Sequence, residues 1–245
     1  AVARAELKAG AKESTILLRE GVHEVTTTLK LDAGDSGLTI AAYPGEHPIV
    51  IGGSVIKDFK PYQGKILQAD VGAQGFKGTY FRQLIFNGRR QHLARYPNFD
   101  PQNPYTGGWA YVDGTYVPMY KDDPADSKRA FKVRPQDRRA WAHPEEIETF
   151  IFPRYNWWNN IVPVATVDKD TGGVTLAKDC SYAIRPLDRY YVQNALEELD
   201  APGEWYLDKR TWTLYFWPEE PLAGRPVFAP KVRTIIDVYS AKHVT

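Results

Sequence analysis

The stretch TILLREGVHEV, residues 15–25, has the pattern of a strand that stops at a glycine. Much of it recurs 24 residues later as TIAAYPGEHPI, residues 39–49. Thr15, Ile16, Gly21 and His23 stand against Thr39, Ile40, Gly45 and His47. A repeat of this length marks a solenoid, in which each turn buries its apolar side chains against the next. The segments are short, β-branched and punctuated by LDAGDSG (31–37), YPGEHP (43–48) and IGGS (51–54). Helical periodicity is absent, so the turns fit rungs of a β-helix.

That pattern predicts residues 15–18 beside 39–42 as parallel strands about 4.8 Å apart, with Ile16 over Ile40. His23 and His47 would then stack as a ladder at a corner, a structural arrangement and not a metal site. The competing explanation is two unrelated strands with ordinary turn glycines. A third partial copy, TIIDVYSAKHV at 234–244, speaks for the solenoid and predicts the start of another rung. The opening AVARAELKAGAKE (1–13) has helix-forming composition and is expected to cap the stack. The chain begins without Met and closes on a strand-like run, so it is expected to be a piece of a longer protein whose remaining rungs lie beyond Thr245.

Composition narrows the function. Among 245 residues, 31 Lys and Arg face 30 Asp and Glu, and the net charge of +1 offers no basic excess for nucleic acid or an anionic membrane. No apolar run is long enough to cross a bilayer. Cys180 is the single cysteine, which excludes an internal disulfide. The 7 Trp and 15 Tyr are the unusual feature.

The pattern changes near Asn98. FDPQNPYTGGW (99–109) is a turn-rich linker, followed by short strands and a clear hairpin turn at DKDTGGV (168–174). RPQDRRAWAHPEEIE (134–148) is the one short helical candidate, with Pro144 at its start. The predicted organisation is a cap and first rungs over 1–98, an inserted β-sandwich or barrel-like module over 99–190, and a hairpin returning to the rungs over 191–245. The fold class is therefore all-β, a right-handed parallel β-helix carrying an insertion. In the hairpin, Trp205 and Leu207 share one face and Tyr206 the other, so both sides are apolar and are either buried or presented as an aromatic surface.

Two clusters carry candidate chemistry. In RYNWWNN (154–160), Trp157, Trp158 and Asn159 offer rings for the C–H face of a sugar and an amide for its hydroxyls. On a strand the two rings would point to opposite faces, one into the core and one outward. In NGRRQHLARYPN (87–98), Asn87 and Gly88 make a hairpin turn, and Arg89, Arg90 and Arg95 suit the carboxylate of an acidic sugar. The alternative is that these arginines brace the fold. Asp200, Glu204 and Asp208 tempt as a glycosidase set, but Asp200 and Asp208 sit where turns favour Asp. No residue is assigned as catalytic. The five histidines lack metal spacing, no nucleotide or nucleophile motif occurs, and no cofactor is implied.

Three blocks, GLTIAAYPGEHPIVIGGSVI (37–56), FRQLIFNGRRQHLARYPN (81–98) and LDAPGEWYLDKRTWTLYFWP (199–218), resemble large right-handed parallel β-helix proteins of polysaccharide breakdown. The nearest are glycoside hydrolase family 141 and its kin, which carry a β-rich insertion between early rungs. The resemblance covers most of residues 14–98 and 190–245. It implies a secreted, periplasmic or cell-surface hydrolase acting on plant or algal polysaccharide, along a groove that the insertion borders. It places the catalytic carboxylates on later rungs, outside this chain. The alternatives are a polysaccharide lyase, often Ca²⁺-dependent, and a non-catalytic binding or adhesion module on the same scaffold.

Overall fold

Ser14–Leu18 and Leu38–Ala42 pair as parallel strands, with Thr15 opposite Thr39 and Ile16 opposite Ile40. This is the register the repeat predicts. It is seen in a computed structural model that describes residues 2–245, an all-β chain apart from the helix Val2–Lys8 and single helical turns.

The repeat slips at the next corner. Val22–Glu24 pairs in parallel with Ile49–Ile51, Val22 opposite Ile49, so the offset grows from 24 residues to 27. The cause is the longer corner at 43–48. Glu46 N–H closes it onto Tyr43 O, Arg19 Nη2 holds Glu46 Oε1 at 2.6 Å, and His47 N–H donates to Glu20 Oε2. The histidine ladder is therefore not formed. His23 lies opposite Val50, and its Nε2 meets Arg19 O at 2.9 Å.

A third parallel pair joins Leu29–Leu31 to Ile236–Val238. Residues 234–244, which the Thr-Ile echo predicts to start another rung, thus return to parallel pairing, beside Leu29–Leu31. They continue the face after Ile51, and it is Thr245 that exchanges backbone hydrogen bonds with Leu38 and Ile40. The chain departs at Gly52 and comes back at Lys231, whose N–H donates to Gly52 O at 2.9 Å. Only glycine fits next to that exit, because a Cβ on Gly53 would lie 1.9 Å from Ala229 O. Ala3 of the helix packs with Leu31 and Leu38, and Arg4 Nε donates to Asp35 Oδ1 at 2.7 Å. The helix thus covers apolar ends of the first strands, as a cap does.

The chain forms two compact units. The first runs up to Asp58 and adds Val71–Arg90 and Ala223–Thr245. Besides the parallel pairs it holds Val227–Pro230 between Gly53–Ile56 and Leu84–Phe86, antiparallel to both. Asn87 (φ 50°) and Gly88 (φ 69°) adopt the left-handed conformations that a two-residue hairpin turn demands.

The second unit is Phe59–Asp70 with Gln91–Leu222. Its larger sheet is antiparallel and seven-stranded, with Arg189–Gln193 between Arg95–Tyr96 and Glu148–Ile151, then Asn160–Asp168, Gly173–Leu176 and Ala130–Lys132. Ala110–Tyr111 also pairs with Arg189–Gln193. Val162, Val164, Val174, Leu176 and Val192 alternate inward and share a core with Ile147, Ile151 and Tyr190. The predicted helical piece is only two single turns, Pro135–Asp137 and Pro144–Glu146, because the chain enters the strand Glu148–Ile151 at once. The hairpin Glu204–Asp208 and Thr213–Phe216 is central in its sheet, flanked by His92–Leu93 in parallel and by Ile66–Asp70. On one face Tyr206 is buried and Tyr215 and Trp217 are half-buried, while on the other Trp205, Leu207, Leu214 and Phe216 are wholly buried. Each contributes about 1.5–3 kcal/mol by burial.

Candidate functional site

The strand Glu148–Ile151 stops before Phe152, and Asn160–Asp168 begins after a connection that carries the aromatic-amide cluster. The expectation of a strand through Trp157 and Trp158 is corrected here. Arg154 (φ 47°) and Asn156 (φ 56°) are left-handed, which bends the connection out of the sheet after Pro153. Both indoles face solvent, Trp157 at 65% and Trp158 at 59% exposure. Neither is core.

Three groups hold the bend. Arg154 N–H donates to Asp188 Oδ2 at 2.7 Å, and Arg185 N–H donates to the same oxygen at 2.8 Å. Arg154 Nε reaches Met119 O at 2.9 Å. Arg185, itself buried, grips Asp126 through two hydrogen bonds of 2.8 and 2.6 Å. Its remaining donors satisfy Pro118 O and Lys121 O, which ties residues 118–126 under the loop. The Arg185 guanidinium holds the Asp126 carboxyl below the usual carboxylate range. Burial pushes the Asp188 carboxyl the other way, up to about 6.

Above this base lie the rings. Tyr155 stacks on Trp157 (5.2 Å, 27°) and meets Tyr182 edge-on (4.9 Å, 90°). Tyr120, 78% exposed, is 6.0 Å from Tyr155, and Trp158 Nε1 donates to Tyr182 Oη at 3.3 Å. Asn159 is exposed beside them, and Asn160 Oδ1 accepts from Ser181 N at 2.7 Å. The result is an aromatic platform in water on a hydrogen-bonded base. Rings so placed offer apolar faces and polar edges together, the pairing that sugars present in reverse. Sequence reasoning found the two tryptophans and Asn159 but missed Tyr120, Tyr182, Arg185 and Asp188. Nothing near those positions marks them, since they join through contacts 24 to 59 residues apart in sequence.

The arginines of the basic cluster separate. Arg89 and Arg90 are exposed on the hairpin turn of the first unit. Arg95 is buried at 7% exposure in the second. Its Nε donates to Pro97 O at 2.8 Å, Nη2 donates to Gly108 O, and its guanidinium lies 3.6 Å from the Tyr191 ring centre. Its bonds are internal, as a brace requires.

Of the three tempting carboxylates, Asp208 accepts the N–H groups of Arg210 and Thr211, an Asp-turn geometry. Asp200 is exposed and accepts from Asn98 Nδ2. Glu204 is buried and accepts the N–H groups of Arg95, Asp200 and Ala201 at 3.2–3.3 Å. Burial outweighs those donors and pushes its carboxyl up to about 8. No group of His, Cys, Asp and Glu with metal-binding geometry occurs among the described residues.

Comparison with known proteins gives two likenesses. Residues 185–219 match the family model of the GH141 insertion domain. A comparison with curated proteins gave no match. A solved structure titled "Glycoside hydrolase" superposes with a TM-score of 0.70 at 19% identity over 97% of this chain. The chain spans 43% of that structure's length. The superposition shows a shared fold, and residues 185–219 are similar to the GH141 insertion domain.

Proposed function

We propose that this chain is part of a polysaccharide-degrading glycoside hydrolase of the family 141 type, and that its own contribution is to hold the polysaccharide. The platform of Trp157, Trp158 and Tyr155 carries this reading, because two indoles kept in water by a hydrogen-bonded base are costly unless something covers them. The catalytic carboxylates belong outside these 245 residues: Asp200, Glu204 and Asp208 are engaged with the backbone or with Asn98. The whole enzyme acts outside the cytoplasm, on polymers too large to enter a cell.

The scaffold is a right-handed parallel β-helix in this reading. The three parallel pairs support it, as does Gly52 meeting Lys231 across the excursion. Residues 99–190 form its inserted β-rich domain, supported by the shared antiparallel sheet from Ala110–Tyr111 to Gly173–Leu176. Arg89 and Arg90 remain candidates for contact with an acidic sugar on the first unit. The test is affinity electrophoresis of the purified chain through gels holding plant and algal polysaccharides, with a reducing-sugar assay alongside. Retarded migration without release of reducing ends is expected. Free migration through every gel contradicts the reading.

A further inference from the structure

Away from the platform, the second unit holds a polar cleft that the function above does not use. Its wider part, about 440 Å³, opens between Tyr96, Asn98, Arg139 and the run Glu197, Glu198, Asp200. A narrower hollow, about 150 Å³, adjoins it at Glu197, which lines both, and is bounded by Asn194, Tyr206 and Arg210. Together they have the size of a small-ligand site.

The groups in it are acceptors with capacity to spare. Glu197 takes one hydrogen bond, from Ala142 N–H, and Asp200 one side-chain donor, Asn98 Nδ2. Glu198 is buried and accepts from Trp141 Nε1 at 2.7 Å. At the inner end Asn194 is wholly buried. Its Nδ2 donates to Glu146 O, and its Oδ1 has no partner. A buried acceptor left unmatched is costly, and a donor brought by a ligand relieves it. The arginines do not reverse the sign. Arg210 is held by Asp208 at 3.0 Å and lies 3.5 Å from Glu146, and Arg139, stacked on Tyr96 at 3.7 Å, pairs with Glu198 at 3.7 Å, one cation against the three carboxylates of the wider part.

We infer that this cleft is a second carbohydrate subsite, selective for neutral sugar residues and closed to uronates or sulfated sugars. Neutral sugars bring hydroxyl donors to Glu197, Asp200 and Asn194 without adding charge, whereas an anionic ring meets three carboxylates. The inference rests on the polysaccharide-binding reading above and adds a sign to its specificity.

The test is calorimetric titration of the chain with neutral hexasaccharides of glucose, xylose, mannose, galactose and arabinose, and with hexagalacturonate. With Arg89→Ala and Arg90→Ala as the background, which removes the acidic-sugar contacts proposed for the first unit, at least one neutral ligand should bind and hexagalacturonate should not. Ala140→Trp, which fills the cleft from an exposed wall position, should weaken neutral binding by about tenfold or more. Glu197→Lys, also exposed, should weaken it too and admit hexagalacturonate. If Ala140→Trp unfolds, Glu197→Lys decides. Unchanged neutral binding in the folded variants, or hexagalacturonate binding to the Arg89→Ala, Arg90→Ala background as tightly as the neutral ligands, overturns the subsite and leaves the platform reading intact. If no saccharide binds the wild type, both fall.

Discussion

The paired strands at 14–18 and 38–42 and the aromatic connection at 152–159 are built on opposite plans. The first is local and repetitive. Ile16 lies opposite Ile40 because each turn of chain returns the same residue types to the same place. The second is held by partners from two distant segments. Asp188, fixed by the Arg185 N–H, and Met119 converge on Arg154 and fix a left-handed bend that the loop's own residues do not dictate. Periodicity makes a scaffold, while buried polar contacts set a site upon it.

That contrast is most severely tested at Arg185. Arg185→Ala strips the half-buried Asp126 of both its guanidinium hydrogen bonds, leaving only Arg154 at 3.6 Å, and should destabilise the second unit by about 4 kcal/mol. Hydrogen exchange should show the loss in residues 118–126 and 152–193, while the amides of 14–18 and 38–42 keep their protection. A uniform loss would mean that the two plans are not separable.

A pH series sharpens the same difference. A raised carboxyl pKa means that the folded chain keeps a proton the unfolded chain has already released. The stability from Asp188 and Glu204 is therefore complete below about pH 4. It is lost as pH rises through about 6 for Asp188 and about 8 for Glu204. Between pH 5 and 9 the decline should be on the order of 5 kcal/mol, mostly from Glu204. Denaturant unfolding at pH 5, 7 and 9 should show it in the wild type and a flatter profile in Glu204→Gln. Equal slopes in both proteins would refute the assignment.

A smaller effect belongs to the scaffold. Gly53→Ala forces a Cβ against Ala229 O, where the chain departs from its parallel course. The cost should be about 2 kcal/mol, read as a lowered unfolding midpoint. Here the first unit should lose protection, the inverse of the Arg185 result.

The same division explains what was legible in the residues. The register of Ile16 on Ile40 follows from matching letters, and the turns at Asn87-Gly88 and 168–174 follow from their own backbone preferences. The corner at 43–48 defeated the repeat, since three extra residues moved His47 into a turn and left His23 opposite Val50. The Thr-Ile of 234–235 marks a return to parallel pairing, beside Leu29–Leu31, a partner its letters do not name. The two tryptophans were visible by composition, yet their shared exposure was not, because Arg154 bends to satisfy Asp188, 34 residues on. Asn194 and the cleft beside it leave no mark in the sequence at all.

The most direct measurement is a split between affinity and stability at the platform. The double variant Trp157→Ala, Trp158→Ala removes two largely exposed rings, so its unfolding temperature should stay close to the wild type. Its affinity for whichever polysaccharide retards the wild-type chain should fall by about tenfold or more. A lowered unfolding temperature with full affinity would make the rings structural and contradict the account.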